Sequence, residues 1–232
     1  ASWYYVLDAC DSQLRTKRRA VGPAKNAPPV LYEIGGVRLA IPLAYLPSLW
    51  SDRPLALLRQ NYEYFQTAWP GLPDRTNPVM AACWFADPAP PCDHTILIFI
   101  SAGPSLDDPP PLADLVDSGD TVYGGRLYFH KAWPRSRSIV IDFRNLRRAE
   151  SDLTCELPRS PTPLNLSTKY PDAPAIESQL AERSTSCLLR IFPSNLSLRL
   201  SVRMHGADAS RWQQIGRSVE RLIAGMVEGN SR

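Results

Sequence analysis

The densest group of titratable side chains is an acidic run of five aspartates within fourteen residues, Asp107, Asp108, Asp114, Asp117 and Asp120. Calcium binding needs oxygen ligands at alternate positions and a tight glycine turn, and the D-x-D-x-D-G register is absent from this run. Three prolines at 109–111 stiffen the segment, which limits the entropy lost on docking. A solvated loop and a calcium site are the alternatives, and we predict that the acidic run contacts a basic patch on a protein partner.

Residue types that could carry nucleophilic catalysis are present, but their spacing does not match a known arrangement. The nearest approach to a G-x-S-x-G elbow is Gly103-Pro-Ser105-Leu, in which the proline indicates an ordinary loop. Cys92 and His94 lie two positions apart. Side chains this close in the chain rarely point toward each other in a way that allows proton transfer. The sequence has no H-E-x-x-H and no C-x-x-C motif. We therefore predict no catalytic residue, no metal site, no cofactor and no enzymatic activity.

Aromatic side chains between residues 45 and 69 offer a second candidate contact surface. The spacing of Leu58, Tyr62, Phe65 and Trp69 predicts a helix over residues 55–69 whose apolar stripe faces the core. Tyr64 falls off this stripe, so we expect its ring to face outward, where amphipathic rings serve interfaces well. Tyr64 is therefore a predicted partner-binding residue.

The elements that must position these groups are mostly strands. Gly35-Gly36 predicts the turn of a β-hairpin, and the alternation after Leu196 predicts a strand with one buried and one wet face. Strands are predicted at 30–34, 37–43, 95–100, 121–130 and 138–144, with a hairpin over 187–204. An apolar stripe from Trp212 to Met226 predicts an amphipathic C-terminal helix near 210–228, capped by Ser210. These elements predict an α+β fold around an antiparallel β-sheet.

Charge and proline content restrict the class of protein. The 23 prolines among 232 residues predict short elements joined by stiff loops. Residues 1–29 hold five basic and two acidic side chains, which accounts for the whole net charge of +3. The remaining chain is neutral and lacks the clustered Lys and Arg that nucleic acids require. We predict a basic flexible lead segment at 1–29, a single α+β binding domain at 30–232, and no nucleic-acid partner.

The five cysteines bear on the compartment. Cys83 and Cys92 flank one proline-rich stretch, and Cys155 and Cys187 bracket another. Two loop-closing disulfides, with Cys10 unpaired, favour an oxidising compartment, whereas reduced thiols in a cytoplasmic protein are the alternative. The opening at Ala1 fits a chain from which a signal or membrane anchor has been removed, and a trimmed chain fits equally. We predict a periplasmic location, with inner-membrane anchoring as one variant.

Three features of the sequence follow one another in the order found in a known class of proteins. The first is the stretch from Ile34 to Leu46, a strand that runs into an I-P-x-x-Y-L pattern ending at Tyr45-Leu46. The second is the Cys155 and Cys187 pair, and the third is the closing hairpin with the helical stripe that begins at Trp212. Together they resemble immunity proteins of bacterial type VI secretion gene clusters, over residues 30–229. The three features describe the scaffold and assign no partner contact.

The resemblance implies a protein that neutralises a secreted lipase or phospholipase effector by stoichiometric binding in the periplasm. The predicted partner is therefore a cognate effector protein. A cell-envelope enzyme with dispersed carboxylates stays open because such a site needs no local motif. A structural subunit of an envelope assembly is the third possibility. Loss of turnover on mutating one buried carboxylate would identify the second, and association with membrane-complex components would identify the third.

Overall fold

The computed structural model of the protein describes residues 28–46, 57–74, 77, 80, 94–102, 112–133, 135–143, 152–157, 170–182, 185–193 and 196–228. Its strands within these ranges are β1 (Val30–Ile34), β2 (Val37–Ile41), β3 (Leu58–Arg59), β4 (Tyr62–Ala68), β5 (Thr95–Ser101), β6 (Leu115–Val122), β7 (Gly125–His130), β8 (Ser138–Asp142), β9 (Asp152–Glu156), β10 (Ser186–Ile191) and β11 (Arg199–His205). Its α-helices there are α1 (Ala173–Leu180) and α2 (Trp212–Met226).

Eight strands form one antiparallel sheet in the order β4-β5-β11-β10-β9-β8-β7-β6. The strand registers align a row of buried apolar side chains across seven of these strands, namely Phe65, Ile98, Val202, Leu189, Leu153, Ile141 and Leu127. Side chains alternate between the two faces of a strand, so this row defines the inward face of the sheet. The next residue on each strand points outward.

The inward face is covered by α2 and by a small sheet of order β2-β1-β3. The α2 stripe buries Trp212, Ile215, Val219, Ile223 and Met226. The Trp212 ring stacks on Phe143 with ring centres 3.7 Å apart. A 3-10 helix at Gly206–Arg211 leads into α2, whose N-cap residue is Arg211 and makes no side-chain cap hydrogen bond. Packing of the apolar stripe, and not a Ser210 cap, therefore fixes this helix.

The predicted α+β class is confirmed, since antiparallel sheets combine with α-helices and one helix is C-terminal at 212–226. The predicted hairpins over 30–43 and 187–204 are confirmed as β1–β2, whose second strand ends at Ile41, and β10–β11. The strand predicted at 95–100 is confirmed as β5, which is the second strand of the large sheet.

The predicted helix at 55–69 is wrong, because residues 58–59 and 62–68 are strands β3 and β4. β4 pairs with β5 from Tyr62 opposite Ser101 to Ala68 opposite Thr95. Phe65 and Thr67 point inward with the period of two that a strand requires. Aromatic and β-branched side chains favour such a half-buried pleated surface, and this preference outweighs the helical spacing of four apolar residues.

A disulfide joins Cys155 on β9 to Cys187 on β10, the pair predicted from the sequence. The two residues lie directly opposite each other, with Cα atoms 4.1 Å apart, and both are buried. The bond therefore fastens the central strands of the large sheet. The other predicted pair, Cys83 and Cys92, lies outside the described residues. No helix in the described part of the chain is long and apolar enough to cross a membrane.

A buried ion pair lies on the outward side of the same central strands. Arg190 on β10 donates through Nη1 to the Asp152 carboxylate on β9, and its side chain is 6% exposed. The same Nη1 donates to Thr154 Oγ1 at 3.0 Å. A buried cation is tolerated where a carboxylate and further hydrogen-bond acceptors satisfy it. This ion pair therefore links β9 and β10 on the outward side of the sheet.

Candidate partner-binding surface

Outward side chains at the β4 end of the large sheet form a surface that we call the tyrosine–arginine face, made of Tyr62, Tyr64, Phe99, Arg199 and Arg203. Tyr62 and Tyr64 are 62% and 46% exposed. Phe99 lies opposite Tyr64 in the register of β4 and β5, and their ring centres are 5.7 Å apart. Cross-strand aromatic pairs of this kind hold each other in place. The face therefore presents large rings on regular strands.

Two arginines on β11 border these rings. The Arg203 guanidinium lies 5.8 Å from the centre of the Phe99 ring, and the Arg199 guanidinium lies 5.0 Å from that of Phe192. Such cation–π contacts orient a guanidinium without neutralising its charge. The outward positions of the three strands β4, β5 and β11 hold no aspartate or glutamate. The tyrosine–arginine face is therefore both aromatic and positively charged.

Hydrogen bonds and ring contacts on the inward side of β4 hold this strand in position. The Glu63 carboxylate accepts hydrogen bonds from the Tyr64 backbone N–H and from Gln60 Nε2, both at 2.8 Å. The Tyr45 hydroxyl donates to the Leu72 carbonyl at 2.8 Å, and the Tyr45 ring lies 5.0 Å from that of Phe65. Burial raises the pKa of Tyr45 to about 12, so its hydroxyl remains a donor at neutral pH. Tyr45 of the I-P-x-x-Y-L pattern therefore belongs to the scaffold.

The described part of the acidic run lies at the other end of the sheet. Asp114 ends a 3-10 helix, and Asp117 and Asp120 belong to β6. Asp107 and Asp108 lie outside the described residues. β4 and β6 stand at opposite ends of the strand order of the large sheet. Tyr64 on β4 and the aspartates on β6 are therefore separated by the six strands between them. Whether the aspartates contact a partner stays a prediction.

Asp117 is engaged within its own hairpin. Its carboxylate lies 2.5 Å from the Arg126 guanidinium on β7 and accepts the Gly119 N–H at 2.9 Å. The hydrogen bond from Arg126 is the main cause that lowers the pKa of Asp117 from its ordinary value of 3.8. A register shift between Asp117 and Thr121 marks a β-bulge at this place. The charge of Asp117 is thus largely compensated inside the chain.

A histidine–carboxylate pair joins the start of β5 to the approach to α2. His94 Nδ1 lies 2.7 Å from Asp208 Oδ1, and Asp208 is only 1% exposed. His94 has a φ of +67°, and its backbone carbonyl accepts the Trp69 N–H at 2.9 Å. The pair therefore ties β4, β5 and the entry to α2 together. Among the described residues, no three His, Cys, Asp or Glu side chains are grouped in a way that could hold a metal ion.

Sequence reasoning identified Tyr64 as an exposed ring but missed Tyr62, Phe99 and the two arginines as its neighbours. The helical interpretation assigned Tyr62 to the buried stripe. Phe99 stands in a continuous apolar run, which hides the alternation of a strand with one covered face. Arg199 and Arg203 occupy polar positions in the alternation after Leu196, which predicts a wet face and was the available signal. The approach of Arg203 to Phe99 depends on the pairing of β5 with β11, whose paired residues lie about a hundred positions apart in the chain.

The fold can now be compared with known proteins. No protein-family model and no curated protein matches the sequence. Among solved structures, the chain is similar to an immunity protein of the Stenotrophomonas maltophilia type IV secretion system, with a TM-score of 0.50 and 14% sequence identity. The match covers 87% of this chain and 94% of that chain. At this identity, the likeness concerns the fold.

Proposed function

We propose that the chain is a non-enzymatic immunity protein of a bacterial secretion system, which binds a cognate effector and inhibits it stoichiometrically. The observation that carries the proposal is the fold shared with a secretion-system immunity protein over nearly the whole length of both chains. The I-P-x-x-Y-L entry, the Cys155 and Cys187 pair and the closing hairpin with its helix support it independently, because they resemble immunity proteins at the level of sequence.

Inhibition by occlusion fits the construction of the tyrosine–arginine face. Its rings and cations stand on strands of a sheet that a disulfide and a buried ion pair fasten at the centre. Groups fixed in this way lose little conformational entropy when they bind, so more of the contact energy becomes affinity. A rigid surface of this kind can cover an active-site entrance without any chemistry of its own.

The identity of the effector and the compartment are finer parts of the proposal. The sequence resemblance supports a lipase or phospholipase of a type VI system, whereas the structural neighbour serves a type IV system. Both point to a secreted antibacterial effector. The Cys155–Cys187 disulfide supports the periplasm, because disulfides persist in oxidising compartments. The acidic run, with Asp107, Asp108, Asp114, Asp117 and Asp120, is proposed as a further contact for a basic patch of the effector.

A protection experiment tests the proposal. The effector encoded beside the gene for this chain is exported to the periplasm of a bacterial host, together with this chain either exported or retained in the cytoplasm. We expect the exported chain to restore survival and the two proteins to purify as one complex. Survival with the retained chain alone would overturn the proposed compartment. Death of the host in both cases, without a complex, would overturn the proposed function.

A further inference from the structure

We propose that the tyrosine–arginine face is the surface that receives the effector, and that it binds a protein segment in which Asp or Glu carboxylates stand beside an apolar side chain. This inference rests on the function proposed above and names the partner's chemistry at one surface. It differs from the prediction for the acidic run, which would require a basic partner surface.

Arg203 supplies a positive charge of the face that a partner can use. None of the described carboxylates lies within ion-pair distance of its guanidinium, and the cation–π contact with Phe99 leaves its charge in place. Two other exposed arginines are engaged with carboxylates, since Arg38 pairs with Glu33 and Glu228 and Arg126 pairs with Asp117. A guanidinium presents a fork of donors that matches a carboxylate. Arg203 is therefore suited to receive a carboxylate from outside the chain.

The rings determine the apolar part of the partner. Tyr62 and Tyr64 are the large hydrophobic side chains that stand exposed on the described surface. Tyrosine has few rotatable bonds and combines an apolar ring with a polar hydroxyl, which makes it a frequent hot-spot residue in protein interfaces. Tyr64 is further oriented by Phe99, which stands beside it on β5. An apolar side chain of the partner that covers Tyr64 and Phe99 would also exclude water from Arg203, which lies against the Phe99 ring, and this strengthens its contact with a carboxylate.

The other candidate surface of the described chain is an open depression of about 780 Å³ beside the β1–β2 turn. Arg38 and Glu228, which line it, are paired with each other. Its charged groups are thus satisfied within the chain, as they are around Asp117 on β6. The tyrosine–arginine face differs from both of these places because it combines exposed rings with an arginine that lacks a described carboxylate partner.

The test measures binding of the effector encoded beside the gene for this chain by surface plasmon resonance at two salt concentrations. The variants are Tyr62→Ala with Tyr64→Ala, and Arg203→Gln. The matched controls are Tyr62→Phe with Tyr64→Phe, which keeps both rings, and Arg217→Gln, which removes an equal charge from the exposed side of α2. Thermal unfolding of each variant confirms that it is folded.

We expect the double alanine variant to weaken binding about 30-fold or more, mainly through faster dissociation. We expect Arg203→Gln to slow association several-fold at low salt and to reduce its salt dependence. Both controls should stay within about threefold of the wild type. Wild-type affinity in both folded test variants would overturn the inference while leaving the proposed function intact. Failure of the wild-type chain to bind the effector would overturn the proposed function and the inference with it.

Discussion

The two ends of the eight-stranded sheet use their outward side chains in different ways. At the β6 end, Asp117 pairs with Arg126, and Ser118 Oγ donates to the Leu127 carbonyl while it accepts the Asp120 N–H. These polar groups are used within the hairpin. At the β4 end, Tyr62 and Tyr64 stand exposed, and Arg203 lies against Phe99, the ring opposite Tyr64. The difference indicates that changes at the β6 end alter folding and that changes at the β4 end alter binding.

The largest loss of stability is expected from changing the ion pair of Arg190 and Asp152, which lies on the outward side of the sheet between its two ends. Asp152→Ala leaves the buried cation of Arg190 without its carboxylate and should lower the free energy of unfolding by about 3 to 5 kcal/mol. Urea denaturation followed by circular dichroism measures this loss. In the control, Asp152→Leu combined with Arg190→Met removes both charges and should recover most of the stability. Equal loss in the single and double variants would contradict the account of this pair.

The disulfide is expected to have the next largest effect on the scaffold that both ends share. Replacing Cys155 and Cys187 by Ala opens a link between residues 32 positions apart and should lower the free energy of unfolding by about 3 to 4 kcal/mol. Cys10→Ser serves as the matched cysteine control, with no change expected. A mass spectrum of the native protein without reductant measures the bond directly. Free thiols at both positions would contradict the bond and weaken the case for the periplasm.

A smaller change at the β6–β7 hairpin separates folding from binding. A Cβ atom on Gly125 would overlap the Phe143 ring and the Ile141 side chain, so Gly125→Ala should lower the free energy of unfolding by about 1 to 3 kcal/mol. A Cβ atom on Gly225 of α2 meets no atom within 4 Å, so Gly225→Ala should raise stability by up to about 1 kcal/mol. Both variants should bind the effector with wild-type affinity. A large loss of affinity in folded Gly125→Ala would erase the contrast between the two ends.

The smallest effect is expected for the charge at the β6 end. The folded-state pKa of Asp117 lies below its ordinary value of 3.8, because Arg126 and the Gly119 N–H favour the carboxylate. Its contribution to stability is thus present above that ordinary value and is lost as the pH falls through the folded-state pKa. Thermal unfolding between pH 2 and 7 should show Asp117→Asn slightly less stable than the wild type at pH 6 to 7, with the difference vanishing toward pH 2. A marked loss of effector binding in Asp117→Asn at pH 7 would instead support the acidic run as a contact.

The elements whose apolar residues recur with a clear period could be predicted from the sequence. The surface that these elements form together could not. Gly35-Gly36, the alternation of 196–203 and the stripe of α2 each depend on local chemistry, and each forms as expected. In β4, the aromatic spacing fits a helix as well as a strand, and only pairing with β5 decides between them. The tyrosine–arginine face joins three strands that are distant in the chain, so no local pattern records it.

The most direct test of the proposed function is a titration of the activity of the effector encoded beside the gene for this chain. For the lipase or phospholipase proposed above, hydrolysis of phospholipid vesicles is measured while the purified chain is added in steps. Stoichiometric occlusion predicts that activity falls linearly and ends at a fixed whole-number molar ratio, whereas the chain with Tyr62→Ala and Tyr64→Ala needs an excess. An effector that remains fully active and unbound at about tenfold molar excess of the wild-type chain would contradict the account.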